Sequence, residues 1–150
     1  MNLKNKIPPP IVTLVFAALI FFSTELTPDI VFSGQNLISL FFMIAGLIVL
    51  LIAISAFIKF KTTINPLKPE QASSLVMTGI FKFSRNPMYL GMLLLILSLW
   101  IKTGAILGFI LVPGFMAYMN YFQILPEERA MKALFSDKYD AYCQQVRRWL

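Results

Sequence analysis

Four long runs without Asp, Glu, Lys or Arg constrain this chain more than any other feature of its sequence. They cover residues 8–24, 37–58, 87–101 and 103–126. A helix needs about 20 apolar residues to cross the hydrocarbon layer of a bilayer. Charged residues make up only 13% of the chain, whereas soluble domains carry about 25%. The sequence therefore predicts an all-α fold, an integral membrane bundle of four transmembrane helices in a single domain over residues 1–150.

The predicted spans cover residues of about 8–26, 37–59, 87–101 and 104–125, and a tight helical hairpin at Gly104 joins the last two. The third span is short for a bilayer, so it is expected to tilt little, to thin the bilayer locally, or to start in a cavity lined by protein. The first run follows two lysines, as the apolar part of a signal peptide does. Because no small-residue cleavage pattern follows it, we expect it to be retained as a span.

The basic residues lie almost entirely on one side of these spans. Twelve of the 13 Lys and Arg residues precede span one, lie between spans two and three, or follow span four, and Lys102 alone lies on the other side. The positive-inside rule then places both termini in the cytoplasm, together with a loop over 60–86 and a tail over 126–150. The net charge of +6 is explained by this topology and by attraction to anionic headgroups, so no nucleic-acid partner is predicted.

Several classes of chemistry are excluded by residues that the sequence lacks. It contains no histidine and one cysteine, Cys143, which rules out a His-ligated metal site, a thiolate zinc site and an intramolecular disulfide. It has neither a dinucleotide-binding glycine fingerprint nor a P-loop. The predicted spans contain no charged residue, which argues against a proton-coupled transporter. The sequence leaves a small membrane domain without a predicted metal site.

The loop and the tail hold most of the polar residues. Pro87 suits the first turn of the third span, with Asn86 or Ser84 as its cap. Glu127 and Glu128 suit the first turn of a helix in the tail, because they complement its positive end. Apolar residues then recur every three or four positions and predict an amphipathic helix through the tail: Phe135, Tyr139, Tyr142, Val146 and Trp149.

Four ordered segments of the loop and the tail form a pattern. Residues 75–81 read Leu-Val-Met-Thr-Gly-Ile-Phe, residues 85–91 read Arg-Asn-Pro-Met-Tyr-Leu-Gly, a Glu-Glu pair stands at 127–128, and residues 135–142 read Phe-Ser-Asp-Lys-Tyr-Asp-Ala-Tyr. In order and separation they resemble the isoprenylcysteine carboxyl methyltransferase and phospholipid methyltransferase group of membrane enzymes. That group has Leu-Val-x-x-Gly, Arg-His-Pro-x-Tyr-x-Gly, Glu-Glu and Phe-Gly-x-x-Tyr-x-x-Tyr. The likeness covers residues 64–148.

The resemblance implies that S-adenosylmethionine is the cofactor, bound in a cytoplasm-facing pocket without a Rossmann domain. It assigns catalytic roles to Arg85, Glu127 and Glu128, and contacts with the substrate to Gln123 and Arg129. Arg85 is expected either to tie the loop to a glutamate of the tail or to pair with an anionic group of the acceptor. The cofactor contacts carried over by position are Ser73, Ser74, Leu75, Val76, Phe81, Asn86, Pro87, Met88, Tyr89 and Glu127.

Two positions depart from the family pattern. Asn86 stands where the family has histidine, so a mechanism that needs an imidazole base at this position is excluded. Gln123 stands where the prenylcysteine enzymes have an arginine for the substrate carboxylate. A carboxylate acceptor would then depend on another cation, and Arg85 or Arg129 could supply it.

The predicted function is methyl transfer from S-adenosylmethionine to a lipophilic acceptor at the cytoplasmic face of the membrane. The sequence leaves the acceptor open among a phospholipid amine, an isoprenoid carboxylate and a small hydrophobic thiol, and it leaves the oligomeric state open. Two alternatives have other functions. A membrane oxidoreductase resembling the steroid reductases shares the helical layout but uses NADPH, and a membrane scaffold has no enzymatic activity.

Overall fold

The computed structural model describes residues 7–60 and 74–150. The fold is all-α, as predicted, and no strand occurs among the described residues. A 3₁₀ helix over Gly79–Lys82 precedes the third helix, and a π-helix over Met119–Ile124 joins the fourth to the fifth. The α-helices are α1 (Pro9–Ser23), α2 (Gln35–Lys59), α3 (Pro87–Thr103), α4 (Gly108–Tyr118) and α5 (Leu125–Gln145).

Each of the four predicted spans coincides with a helix of the structure. α2 has 25 residues, and α4, the π-helix and α5 follow one another over 38 residues from Gly108 to Gln145, with a kink at Ser136. By length and hydropathy these two could cross a membrane. α1 and α3 are apolar but have 15 and 17 residues. Membrane crossing by α1 and α3, like the cytoplasmic position of the loop and the tail, remains a prediction.

α3 lies at the centre of the bundle and packs most closely against α2. A Cβ atom added at Gly91 of α3 would lie 2.6 Å from Leu50 and 3.0 Å from the carbonyl oxygen of Gly46, both on α2. Near the other end of the pair, the hydroxyls of Ser39 and Ser98 donate to each other's backbone carbonyls at 2.9 and 2.8 Å. The absence of a side chain at Gly91 therefore allows the two helix backbones to approach closely.

The turn between α3 and α4 confirms the hairpin predicted at Gly104. Gly104 ends α3 with φ +69°, which suits glycine. The backbone N–H of Ile30, in the α1–α2 loop, donates to the Gly104 carbonyl at 2.8 Å. The Gln35 amide donates to the carbonyls of Ile101 and Lys102 at 2.6 and 3.1 Å, which satisfies two of the last acceptors of α3.

The predicted helix through Val146 and Trp149 is wrong, because α5 ends before both residues. As the sequence predicts, Pro126 lies in the first turn of a helix: α5 starts at Leu125 and continues directly from the π-helix. It ends at Gln145, and Val146 takes extended angles (φ −125°, ψ 132°). Tyr139, Tyr142 and Val146 form one apolar cluster, whereas Trp149 packs against the main core of the bundle.

α5 contains one distorted residue, Ser136, with φ 41° and ψ −123°. A side chain is strained in this region of backbone angles, and glycine is not. Ser136 occupies the glycine position of the Phe-Gly-x-x-Tyr-x-x-Tyr pattern. The positive φ thus gives a physical reason for glycine at that position of the family pattern. In this chain, which has serine there, the backbone of Ser136 is strained.

Candidate active site

The first turn of α3 and the first turn of α5 meet at one end of the bundle. Pro87 is the first residue of α3 and is buried, and Asn86 precedes it as the N-cap. The Ser84 hydroxyl accepts a hydrogen bond from the backbone N–H of Asn86 at 3.1 Å. Ser84 thus stabilises the turn before α3 and helps to orient the residues that follow it.

Tyr89 and Glu127 form the contact between these two turns. The Tyr89 hydroxyl donates to Oε1 of Glu127, and Tyr89 is only 5% exposed. Glu127 is the first charged residue after the apolar run that ends at residue 126, so it lies outside the apolar part of the helix. Burial raises the pKa of the Glu127 carboxyl to about 8, although the hydrogen bond from Tyr89 acts in the opposite direction. The carboxyl is therefore poised to change protonation state near neutral pH.

Glu128 is held by two arginines, and we call Arg85, Glu128 and Arg148 the clasp. Nη2 of Arg85 lies 2.8 Å from Oε1 of Glu128, and Nη2 of Arg148 lies 2.7 Å from Oε2. Nε of Arg148 also donates to Oε1 at 3.0 Å. The hydrogen bonds with Glu128 raise the pKa of Arg148, so its guanidinium stays protonated. Both carboxylate oxygens of Glu128 are engaged within the protein.

The clasp fastens the last five residues, 146–150, which we call the strap. Nη1 of Arg85 donates to the carbonyls of Cys143 and Val146 at 3.2 and 3.3 Å. The backbone N–H of Arg85 donates to the Arg147 carbonyl at 3.0 Å, and the Asn86 amide donates to the Arg148 carbonyl at the same distance. The segment before α3 therefore supplies donors for the carbonyls of Val146, Arg147 and Arg148, which lie beyond the end of the helix.

A second part of the predicted site packs on the far half of α5. The Tyr142 hydroxyl donates to the Phe81 carbonyl at 2.6 Å, and Phe81 is buried with its ring 5.4 Å from that of Phe57. Leu75 contacts the cluster that contains Tyr142. Val76 is also buried. These residues attach the described part of the loop to the tail.

The structure brings five of the predicted site residues together at the junction of α3 and α5: Arg85, Asn86, Tyr89, Glu127 and Glu128. Pro87 and Met88 lie in the same turn. Ser74 donates to the Phe60 carbonyl at 3.4 Å. Ser73 lies outside the described residues.

The two residues predicted to contact substrate lie in different surroundings. Gln123 is fully buried, and its amide donates to the Ile7 carbonyl at 2.8 Å. Its Oε1 is buried without a hydrogen-bond partner in the described part of the chain. Arg129 is exposed, and none of the ion pairs between described residues includes it. Of the two, only Gln123 presents an unsatisfied buried atom.

Sequence reasoning missed Arg148, the second cation of the clasp, and the hydrogen bond from Trp149 to Asn120 at 3.2 Å. Arg148 lies in the basic tail, where a contact with headgroups explains an arginine equally well. Its partner Glu128 is 20 residues earlier. The contact forms because the chain folds back after α5. The regular spacing of apolar residues in the tail gave no indication of this change of direction.

The fold and the polar junction define a class of protein: an all-α bundle with two helices long and apolar enough to cross a membrane, whose half-buried Glu127 carboxyl and clasp lie at one end. A family model described as phospholipid methyltransferase matches residues 35–138, more than half of the chain. The chain therefore belongs to the phospholipid methyltransferase family. Membership of this family indicates a membrane methyltransferase with a lipid substrate, and it does not favour the NADPH-dependent or scaffold alternatives.

One curated relative adds little about function. The chain is 41% identical over 63 residues to an uncharacterized protein of Haemophilus influenzae, an alignment that covers 42% of this chain and all of that protein. No solved structure matches the chain. The family assignment thus depends on the family match and is consistent with the two helices long and apolar enough to cross a membrane.

Proposed function

We propose that this protein transfers the methyl group of S-adenosylmethionine to a phospholipid amine at the junction of α3 and α5. The observation that carries the proposal is the half-buried Glu127 carboxyl, hydrogen-bonded to Tyr89 at the first turn of α3, in a chain of the phospholipid methyltransferase family. The proposed site lies at the bundle end that the charge distribution predicts to face the cytoplasm.

The polar atoms at the junction suit a cationic cofactor. Oε2 of Glu127 has no hydrogen-bond partner among the described residues, and the orphan Oε1 of Gln123 belongs to a residue about one turn earlier on the same helix. Both atoms accept hydrogen bonds, whereas S-adenosylmethionine carries an ammonium group, ribose hydroxyls and a sulfonium. We assign the ribose hydroxyls or the amino group to Glu127, and other cofactor contacts to Asn86 and Tyr89.

The bound cofactor would supply an electrophilic methyl group on a positively charged sulfur. The acceptor nitrogen forms a bond to this methyl through its lone pair, the carbon–sulfur bond breaks with its electrons left on sulfur, and the amine releases a proton. The protein contributes alignment and the exclusion of water, and such positioning accounts for about 7–11 kcal/mol in well-oriented reactions. In its ionised form, which prevails above its pKa of about 8, Glu127 is suited to accept the released proton.

Arg85 and Glu128 act on this chemistry as positioning residues. The Arg85 guanidinium is engaged by Glu128 and by the carbonyls of Cys143 and Val146, so its hydrogen bonds are directed into the protein. Glu128 adjoins Glu127 in the sequence, and fixing Glu128 therefore fixes the first turn of α5. We infer that the clasp sets the direction in which the Glu127 carboxyl points.

An amine acceptor fits the site better than a carboxylate. The free Oε1 of Gln123 accepts a hydrogen bond from an N–H group and would repel a carboxylate oxygen. Of the two arginines that could serve a carboxylate, Arg85 has both terminal nitrogens engaged in the protein, which leaves only its buried Nε without a partner among the described residues, and Arg129 is exposed. The lipid portion of the acceptor would remain in the bilayer while its headgroup reaches the junction from the side.

The test is calorimetric titration of S-adenosylmethionine into the purified protein and its Glu127→Gln variant. We expect the variant to keep its helical content and to lose affinity at least about tenfold, because a hydrogen bond to a charged group contributes about 1.5–3 kcal/mol. Lys132→Gln, which changes an exposed residue elsewhere on α5, is the matched control and should bind like the unmodified protein. Unchanged affinity in Glu127→Gln would remove Glu127 from the site.

A further inference from the structure

A groove between α2 and α3 opens at the end of the bundle opposite to Glu127. Its volume is about 490 Å³, and its walls are apolar, with Leu40 and Met43 on α2 facing Leu95 and Leu99 on α3. Lys102 lies at one end of the groove, 13 residues after Tyr89 along α3, a distance of about 20 Å at the helical rise of 1.5 Å per residue. The groove is therefore separate from the proposed methyl-transfer site.

The end of the groove carries an ordered cation. Nζ of Lys102 donates to Oδ1 of Asn36 at 2.7 Å, which leaves two of its three N–H donors for another acceptor. None of the ion pairs between described residues includes Lys102, Glu25 or Asp29, the charged residues on this side of the predicted topology. Lys102 is also the only Lys or Arg between Arg85 and Arg129. Its charge thus remains available to an anion.

The floor and walls of the groove suit a hydrocarbon chain. The hydroxyls of Ser39 and Ser98 donate to each other's carbonyls, so these floor residues do not require water. Leu40 and Met43 are 45% and 41% exposed and leave the groove open from the side. From Lys102 to Leu95 the wall runs about 10 Å along α3, about a third of the 30 Å hydrocarbon core of a bilayer.

We propose that this groove binds one phospholipid, with its phosphate on Lys102 and the Asn36 amide and one acyl chain against the leucine and methionine side chains. Charge complementarity selects a phosphate-bearing lipid, because a neutral lipid would leave the Lys102 charge unmatched. The apolar walls select a lipid over free phosphate, because free phosphate would leave them empty. The site does not depend on methyl transfer and binds a different lipid molecule from the methyl acceptor.

The test is native mass spectrometry of the delipidated protein in detergent, titrated with phosphatidylglycerol, with diacylglycerol or with inorganic phosphate. We expect the unmodified protein to bind one phosphatidylglycerol per chain more tightly than the other two ligands. The Lys102→Gln variant should bind phosphatidylglycerol about fivefold more weakly, and both proteins should bind diacylglycerol weakly. Lys82→Gln, which removes an exposed lysine of the 3₁₀ helix, is the control and should bind like the unmodified chain. Equal binding by Lys102→Gln, equal binding of diacylglycerol, or displacement by inorganic phosphate would overturn the proposal.

A second variant tests the groove walls without changing the cation. Met43→Trp fills the groove from a residue that is already 41% exposed, so the core of the bundle is untouched. We expect it to weaken phosphatidylglycerol binding at least as much as Lys102→Gln does. Full retention of the lipid by Met43→Trp would show that no acyl chain lies between α2 and α3, and it would overturn the proposal even if the lysine variant failed to fold.

Discussion

Replacing Glu128 with glutamine should loosen the clasp and release the strap. Glu128 accepts three hydrogen bonds from Arg85 and Arg148, at 2.7–3.0 Å, and the exposed fractions of these side chains are 17%, 13% and 33%. Breaking a fully buried ion pair costs about 3–5 kcal/mol, because the remaining charge is left unpaired. Since water partly screens this clasp and the glutamine keeps one acceptor oxygen, we expect Glu128→Gln to lower the free energy of unfolding by about 2–3 kcal/mol.

An exposed ion pair on the same helix provides the matched control for the clasp. Lys132 and Asp140 lie 3.0 Å apart, with side chains 64% and 45% exposed, so Lys132→Gln should cost less than about 0.5 kcal/mol. The assays are thermal unfolding in detergent followed by circular dichroism, and carboxypeptidase digestion, which reports release of residues 146–150. Glu128→Gln should unfold at lower temperature and lose its C-terminal residues faster. A Glu128→Gln variant no more affected than Lys132→Gln in both assays would refute this account of the clasp.

Two further predictions concern strain and protonation. Ser136→Gly should stabilise the fold by about 1 kcal/mol, because glycine tolerates φ 41°. Ser136→Ala should not stabilise it, and equal melting temperatures for the two variants would argue against strain at this position. Because the folded pKa of Glu127, about 8, exceeds its ordinary value of 4.5, the folded state retains the proton longer, and stability should fall as pH rises from about 4.5 to 8 and then level off. Glu127→Gln should flatten this part of the melting-temperature profile, and an equally steep profile would contradict the assigned pKa.

The helices could be predicted from the sequence because a backbone in apolar surroundings has few conformations that satisfy its hydrogen bonds. A long run without charge must satisfy its N–H and C=O groups internally, so the uncharged runs mark the helices. Gly104 marks the turn between α3 and α4 because this turn requires a positive φ and brings the backbone against Ile30. The structure places Glu127 against the first turn of α3, and the cofactor-binding role that the family pattern implies for it stays a prediction.

The clasp and the strap could not be predicted, because tertiary hydrogen bonds create them. The apolar residues of the tail keep helical spacing through Val146 and Trp149, and this spacing gives no indication that the helix stops at Gln145. The chain leaves the helix where Arg85, about 60 residues earlier, binds the carbonyls of Cys143 and Val146. Periodicity reports only which residues are buried, and both the helix and the fold-back bury Val146.

The most direct measurement of the central claim is methyl transfer by the purified protein in vesicles that contain phosphatidylethanolamine. With S-adenosylmethionine labelled in its methyl group, the unmodified protein and Lys132→Gln should place label in the lipid headgroup, and Glu127→Gln should lose most of this activity. Label in no lipid, or equal rates with Glu127→Gln and the unmodified protein, would contradict the assignment of methyl transfer to the junction of α3 and α5.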